Sequence, residues 1–172
     1  MPCDIPEAFD PTRTPEENAS ALALKKALYI AGKVPDGVII GADTIVVLGG
    51  EMMGKPDGRR DAVRMLRSLS GRTHSVVTGI ALVERPSGRH MTGTERTDVT
   101  FRDLPLSEIE EYVAGGSPLD KAGAYGIQDD YGAVFVTRIE GCFYNVVGLP
   151  LSRLHTALRE FQADGSIKEE GG

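Results

Sequence analysis

Apolar residues recur along this chain at helical spacing in some segments and in β-branched runs in others, so helices and strands alternate. The first helical segment opens at Thr14, which is placed to cap it, with Pro15 in the first turn and Glu17 completing a capping box. Gly32 is placed to end this helix. Its apolar positions share the three-to-four-residue spacing of one helix face and are Ala19, Leu22, Ala23, Ala27 and Ile30.

A β-branched run follows this helix. Residues Gly37–Ala42 are apolar throughout, which predicts a strand buried on both faces. The run is interrupted by Asp43 and Thr44, resumes at Ile45–Leu48, and ends at Gly49-Gly50, a favourable hairpin turn.

The remaining segments complete an α/β pattern. Helices are predicted over 58–70, from Ser107 (in a capping box with Glu110) to Gly115, and over 152–161; strands are predicted over 74–83, 96–101 and 133–139. Residues 1–13 are expected to be irregular and 165–172 to form a loose tail. We therefore expect a single domain over 1–172, with a mixed, twisted sheet and flanking helices.

Charge and composition narrow the function. The 172 residues carry a net charge of −6 without a long Lys/Arg cluster, so nucleic acid is not an expected partner. No apolar run approaches the length of a membrane span, so a membrane is not an expected partner either. A small anionic substrate stays possible, because a metal ion can supply positive charge locally. Cys3 and Cys142 lie too far apart in sequence to suggest a disulfide framework or a thiolate zinc site. With no long apolar run and no signal pattern, we expect a soluble, cytoplasmic protein.

Asp43 is the first candidate for chemistry. It lies inside an apolar strand, where an ionised carboxylate is costly unless it is paired or binds a cation. The alternative is a strand end or bulge at which the carboxylate caps a neighbouring turn. The sequence leaves both interpretations open.

Two further segments carry polar groups suited to a phosphate ligand. Lys55, in Gly54-Lys55-Pro56, either belongs to a solvated turn or folds back towards Asp43 and neutralises a phosphate oxygen. The segment 120–128 either is a structural loop or recognises a ligand, with Lys121 at phosphate and Gln128 at a base edge. By contrast, the histidines share no metal-ligand spacing and are assigned structural or surface roles: His74, His90 and His155.

Taken together, these segments resemble the Maf family of nucleotide pyrophosphatases, in the Maf/Ham1-like superfamily. The matching segments run in order along nearly the whole chain and are Glu7, Leu24–Ala27, Gly41–Val46, Gly54–Pro56, Leu69–His74, Val99–Phe101, Asp120–Gln128 and Val146–Pro150. The resemblance implies two lobes around a central cleft and a homodimer.

The resemblance also implies an activity. A nucleoside triphosphate would be cleaved between its α- and β-phosphates, giving the monophosphate and pyrophosphate, with Mg²⁺ or Mn²⁺ as cofactor. By their matching positions, Asp43 is the implied proton acceptor, and Thr44 and Gln128 are implied in substrate choice. The other polar cleft positions implied are Glu7, Lys26, Lys55, Asp120 and Lys121.

Within the family, the pair Asp43-Thr44 together with Tyr125–Gln128 is similar to the dTTP/UTP branch. A 7-methyl-GTP or other modified-nucleotide pyrophosphatase is the alternative. The family's usual opening strand and its Ser-x-Ser-Pro-Arg-Arg phosphate-binding turn do not occur here, so we expect both to be missing and a neighbouring strand to lack its partner. Either the start is assigned too far downstream, or the chain is a truncated form. The departure favours a further alternative, a truncated, non-catalytic nucleotide-binding regulator of cell division.

We hypothesise a mechanism without a covalent nucleophile. The cation is expected on Asp43, with Glu7 or Asp120 as further ligands. Lys55 is expected to act in catalysis and, with Lys121, to offset charge on the departing pyrophosphate; Lys26 is expected to bind substrate. Whether Asp43 is the base, a metal ligand or both is left open by the sequence.

Overall fold

The computed structural model describes residues 5–128 and 130–169, with side chains at all of these except 117, 130 and 165–169. Five strands form one sheet in the order β2-β1-β3-β4-β5. They are β1 Gly37–Leu48, β2 Glu51–Met53, β3 Thr73–Arg85, β4 His90–Phe101 and β5 Val136–Glu140. The helices are α1 Pro15–Ala31, α2 Arg59–Leu69, α3 Leu106–Ala114, α4 Asp130–Ala133, α5 Phe143–Val147 and α6 Leu151–Glu169, with 3₁₀ turns at Ser117–Asp120 and Ala122–Ala124.

Helix α1 begins with the predicted capping box. The Thr14 hydroxyl accepts from the Glu17 backbone N–H at 3.2 Å, and the Glu17 carboxylate accepts from the Thr14 N–H at 2.7 Å. The helix packs on β1 and β3 through a face of small side chains, so its backbone lies close to the sheet. Glycines in the strands permit this approach: a Cβ at Gly41 would lie 2.9 Å from the backbone nitrogen of Ala27.

Strand β1 runs without a break through Asp43 and Thr44. Its predicted burial on both faces is wrong for its first half, since Val38 and Ile40 are 44% and 46% exposed. Pairing with β2 begins at Val46, and among the described residues no strand pairs with the outer edge before it. Among the described residues, that stretch of the edge therefore has no strand partner.

The opposite face of the sheet from α1 carries the main core. It packs against α2, α3 and the 120–128 segment, with Phe101 and Phe135 fully buried between them. Farther along the same face, Ile80 and Leu82 are covered by Leu154 and Phe161 of α6. Helix α5 also lies on this face, and it contacts β3 and β4.

Several expectations need correction. The α/β class is confirmed, but in the described part of the chain all four strand pairings are antiparallel, so the sheet there is not mixed. The capping box predicted at Ser107 is wrong. The residue that caps α3 is Pro105, whose backbone is extended, and the helix begins at Leu106. Ala133 belongs to α4, and the strand predicted from there begins only at Val136.

The predicted boundaries shift at the C-terminus as well. Helix α6 continues past the expected end at Phe161 to Glu169. The loose tail stays a prediction, and its last residues, 170–172, lie outside the described part of the chain, as does Cys3. Cys142 is a free thiol.

Candidate active site

A cleft of about 450 Å³ opens beside β1, at the level of Asp43. A cavity of this size accommodates a small organic ligand. Every candidate site residue proposed from the sequence lines it: Glu7, Lys26, Asp43, Thr44, Lys55, Asp120, Lys121 and Gln128. Positions more than a hundred residues apart in sequence thus meet at one place.

The cleft has two chemically different sides because neighbouring strand residues point to opposite faces of the sheet. Asp43 points towards α1, where its carboxylate meets Lys26. Thr44 points to the other face, where its hydroxyl meets that of Thr78 at 2.9 Å. On that second side the cleft wall contains Tyr125, Val146, Val147 and Gly148.

The side facing α1 is a chain of alternating charges. The Lys26 ammonium donates to the Asp43 carboxylate and lies 2.7 Å from the carboxylate of Glu7. On the other side of Glu7 the Lys55 ammonium lies at 3.0 Å. Exposure increases along the chain, from 6% for the Asp43 side chain to 50% for that of Lys55. Lys55 therefore keeps most contact with the space that a ligand would enter.

Local structure holds this row of charged side chains in position. Lys26 lies on α1, which the small-residue face holds against the sheet. Glu7 lies in the irregular segment before α1, which Asn18 fastens: its amide accepts from the Asp10 N–H at 2.8 Å and donates to the Asp10 carbonyl at 3.0 Å. Phe9 of this segment lies on Gly54, beside Lys55. Glu7 is thereby brought between the two lysines.

Burial and these contacts shift the acid–base properties of the group. Burial raises the pKa of Asp43 above its ordinary value, and the Lys26 ammonium offsets only part of that rise. Burial also favours a raised pKa for Glu7, but hydrogen bonds from Lys26 and Lys55 outweigh it and lower the pKa. Burial lowers the pKa of Lys26, yet its bonds to the two carboxylates outweigh burial and raise it. Asp43 is therefore the better base of the two carboxylates.

The 120–128 segment supplies the far wall of the cleft. The Lys121 ammonium lies 2.8 Å from the Asp120 carboxylate, and this contact lowers the pKa of Asp120. The Asp120 side chain is 81% exposed. Gln128 is exposed on the rim. Across residues 5–128 and 130–169, no three Asp, Glu, His or Cys side chains are grouped closely enough to hold a metal by themselves.

Comparison with known proteins identifies the family of the chain. The sequence model of one family, described as "Maf-like protein", matches residues 1–161. The chain belongs to the Maf family.

Several named proteins are similar in sequence to this Maf chain. A protein of Dictyoglomus turgidum is 49% identical over 149 residues, which cover 87% of this chain and 77% of the relative. One of Moorella thermoacetica is 49% identical over 164 residues, 95% of this chain and 84% of the relative. One of Bacillus anthracis is 44% identical over 161 residues, covering 94% and 83%. Each is named "dTTP/UTP pyrophosphatase".

Behind the cleft wall of this Maf chain lie two polar residues that the sequence pattern did not single out, Thr78 and Asn145. Thr78 is completely buried behind Thr44 and donates to the backbone carbonyl of Asn145 at 3.0 Å. The Asn145 side chain, also completely buried, donates to the Val76 carbonyl and the Thr97 hydroxyl, at 3.0 Å each. A hydroxyl inside the apolar run of β3 is the same kind of signal that singled out Asp43. Only the register of β1 and β3 reveals that Thr78 lies next to Thr44.

His74 has a structural position in the Maf fold, in line with its sequence assignment. It is buried against Phe101 and Tyr125, and its Nε2 lies 2.8 Å from the Tyr125 hydroxyl. Burial lowers the pKa of His74 to about 4, so the ring is neutral at pH 7.

No helix among the described residues has the length and apolar content to cross a membrane.

Proposed function

We propose that this Maf protein hydrolyses dTTP and UTP to the nucleoside monophosphate and diphosphate. The observation that carries the proposal is the lysine-held carboxylate of Asp43, which lies buried in a nucleotide-sized cleft beside Lys55 and Lys121. The relatives named above support the substrate assignment.

The reaction needs a base, an attacking water and stabilisation of the leaving group. Water attacks the α-phosphorus, an O–P bond forms, and the bond from the α-phosphorus to the α,β-bridging oxygen breaks. Asp43 accepts the proton of the water, and its raised pKa brings its basicity closer to neutral pH than that of an exposed aspartate. Lys55 and Lys121 bind the phosphate oxygens and offset the charge that develops on the departing diphosphate.

Lys26 has two roles in this proposal. Its ammonium opposes the effect of burial and so favours the ionised form of Asp43, and it contacts both Asp43 and Glu7. Those two carboxylates fit a divalent cation such as Mg²⁺ or Mn²⁺, which commonly binds one or two carboxylates together with substrate phosphates. Asp120, on the far wall of the cleft, is the proposed alternative to Glu7, because the three carboxylates are not grouped closely enough to hold a cation together. Such a cation, when bound, supplies charge neutralisation and a more acidic water.

The base of the nucleotide is assigned to the other side of the cleft. Val146 and Val147 offer apolar contact there, and Thr44 offers a hydroxyl. Gln128, on the rim, carries an amide that can pair with the N–H and carbonyl groups of uracil or thymine. The proposal further includes two lobes around the cleft, a homodimer and a cytoplasmic location.

The proposal is tested with purified protein, Mg²⁺ and a panel of dTTP, UTP, CTP and 7-methyl-GTP, each in H₂¹⁸O. We expect dTTP and UTP to give the highest kcat/KM, with ¹⁸O appearing in the monophosphate. Label in the diphosphate would contradict attack at the α-phosphorus. A preference for 7-methyl-GTP would move the protein to the alternative substrate class, and tight nucleotide binding without turnover would make it a regulator.

A pH profile tests the role of Lys26. Replacing Lys26 with methionine removes the ammonium that lowers the pKa of Asp43 and leaves the burial that raises it. Since Asp43 must be ionised to accept a proton, the acidic limb of kcat/KM is expected to move to higher pH by about one unit, which is about 1.4 kcal/mol.

The matched control is Lys33→Met, which removes an ammonium that lies over Tyr29, near the end of α1. This control is expected to keep the wild-type profile. An unchanged acidic limb in Lys26→Met would show that Asp43 is not the group whose ionisation limits the rate.

A further inference from the structure

The hydrogen bonds of Thr78 fix the direction of a second hydroxyl. Thr78 Oγ1 lies 3.0 Å from the backbone carbonyl oxygen of Asn145 and 2.9 Å from Thr44 Oγ1. A carbonyl oxygen only accepts, and a hydroxyl carries a single hydrogen. The hydrogen of Thr78 is therefore used on Asn145, and in the remaining bond Thr44 must be the donor.

This assignment determines what Thr44 offers to a ligand. With its hydrogen directed at Thr78, the Thr44 oxygen turns only lone pairs towards the cleft. Thr44 lines the cleft, and the residue opposite its oxygen is Gly148, just after α5, where a Cβ would lie 3.5 Å away. A threonine hydroxyl can in general both donate and accept, but this geometry makes Thr44 an acceptor towards the cleft.

The Asn145 carbonyl is itself held in place, so the direction is not easily reversed. The same oxygen accepts from the Gly148 N–H at 3.0 Å at the end of α5. The Asn145 side chain ties α5 to β3 and β4 through Val76 and Thr97. Thr97 also accepts from the Cys142 N–H at 3.0 Å and donates to its carbonyl at 3.1 Å, at the start of α5.

We propose that Thr78 is a positioning residue for substrate specificity: it commits the Thr44 hydroxyl to accept, so the cleft selects a base that presents a ring N–H. This rests on the proposed function and extends it. Uracil and thymine present N3–H, whereas cytosine presents a lone pair at N3, which would face the lone pairs of Thr44. Thr78 acts without touching the substrate, because it is completely buried behind Thr44.

A kinetic experiment separates this role from a structural one. UTP and CTP share one sugar and one triphosphate, so their ratio of kcat/KM reports the base alone. Thr78→Val removes the hydroxyl at nearly constant shape and frees the Thr44 hydrogen to serve CTP as a donor. We expect the UTP-to-CTP ratio to fall about tenfold, the size of one hydrogen bond at such a site. Thr78→Ser, which keeps the hydroxyl, is the matched control and is expected to keep the wild-type ratio.

The outcomes are distinct. If Thr78→Val lowers both rates by the same factor, Thr78 only supports the fold, and the proposal is overturned. The proposal is also overturned if neither rate changes. If Thr44 instead accepted from a sugar hydroxyl, UTP and CTP would be affected equally.

Neutron diffraction on the wild-type protein in D₂O tests the assignment without any need for activity. The Thr44 deuterium is expected on the line to Thr78 Oγ1, and the Thr78 deuterium on the line to the Asn145 carbonyl. A Thr78 deuterium directed at Thr44 would overturn the inference even in an active enzyme. The expected deuterium positions in a protein that hydrolyses no triphosphate would overturn the proposed function and leave the hydroxyl assignment standing.

Discussion

Replacing Asp43 with asparagine is expected to lower kcat for dTTP by about 10²–10⁴-fold, the usual contribution of a positioned general base. The substitution removes the proton acceptor at nearly constant shape. The fold should tolerate it, because burial already disfavours the ionised carboxylate and Lys26 keeps Glu7 at 2.7 Å. We therefore expect a melting temperature no lower than that of the wild type, measured by circular dichroism alongside the rate.

The control for charge alone is Asp36→Asn, at an exposed position just before β1. It is expected to leave kcat unchanged. Turnover of Asp43→Asn within about tenfold of wild type, or about 1.4 kcal/mol on the barrier, would remove Asp43 from the centre of the mechanism. If Asp43→Asn lost turnover because it unfolded, the loss would not be evidence that Asp43 is a base. The rate and the melting temperature are therefore measured on the same sample.

Replacing Gly79 with alanine is expected to produce the largest loss of stability. Gly79 pairs with Asp43 across β1 and β3 and lies directly under α1. A methyl group there would lie 2.6 Å from the Ser20 backbone nitrogen and closer still to the Ala19 carbonyl. Since a helix backbone cannot yield as a side chain can, we expect the free energy of unfolding in urea to fall by about 3 kcal/mol or more.

A matched glycine provides the comparison. Gly32, at the end of α1, has an ordinary helical φ of −66°, and a methyl there would meet carbonyl oxygens of α1 at 3.7 Å and 3.8 Å. Gly32→Ala is therefore expected to change stability little or to raise it by up to about 1 kcal/mol. If Gly79→Ala unfolded at the same urea concentration as Gly32→Ala, α1 would not lie on β3 as described.

Gly79→Ala should also affect activity where the protein stays folded. If α1 moves away from the sheet, Lys26 moves with it, and its distances to the carboxylates of Asp43 and Glu7 increase. The stability and the chemistry of this site thus depend on the same close helix–sheet contact.

Local signals in the sequence determined much of the fold. The Thr14–Glu17 capping box, the Gly49-Gly50 turn and the start of β3 depend on neighbours within a few residues, and the structure confirms them. Predictions failed where a neighbour distant in sequence decides the outcome. Val38 and Ile40 are as apolar as buried strand residues, yet their side chains are exposed, because burial depends on whether a distant element packs on that face of the strand.

For the site, the sequence alone indicated that a charged residue inside the sheet must have a partner. An aspartate inside an apolar strand is costly without a partner, so Asp43 stood out before any contact was known. Its partner Lys26 and the third member Glu7 were named only through the family resemblance. The tertiary structure decided their order, since the pairing of charges follows from how α1 lies on the sheet.

The direction of the Thr44 hydroxyl is the clearest case that only the tertiary structure decided. Thr44, Thr78 and Asn145 are separated by 34 and 67 residues in sequence. A hydroxyl can donate or accept equally well, so residue identity carries no information about its direction. Strand register places Thr78 beside Thr44, and α5 places a carbonyl beside Thr78. Because that carbonyl can only accept, the geometry, and not the sequence pattern, turns Thr44 into an acceptor.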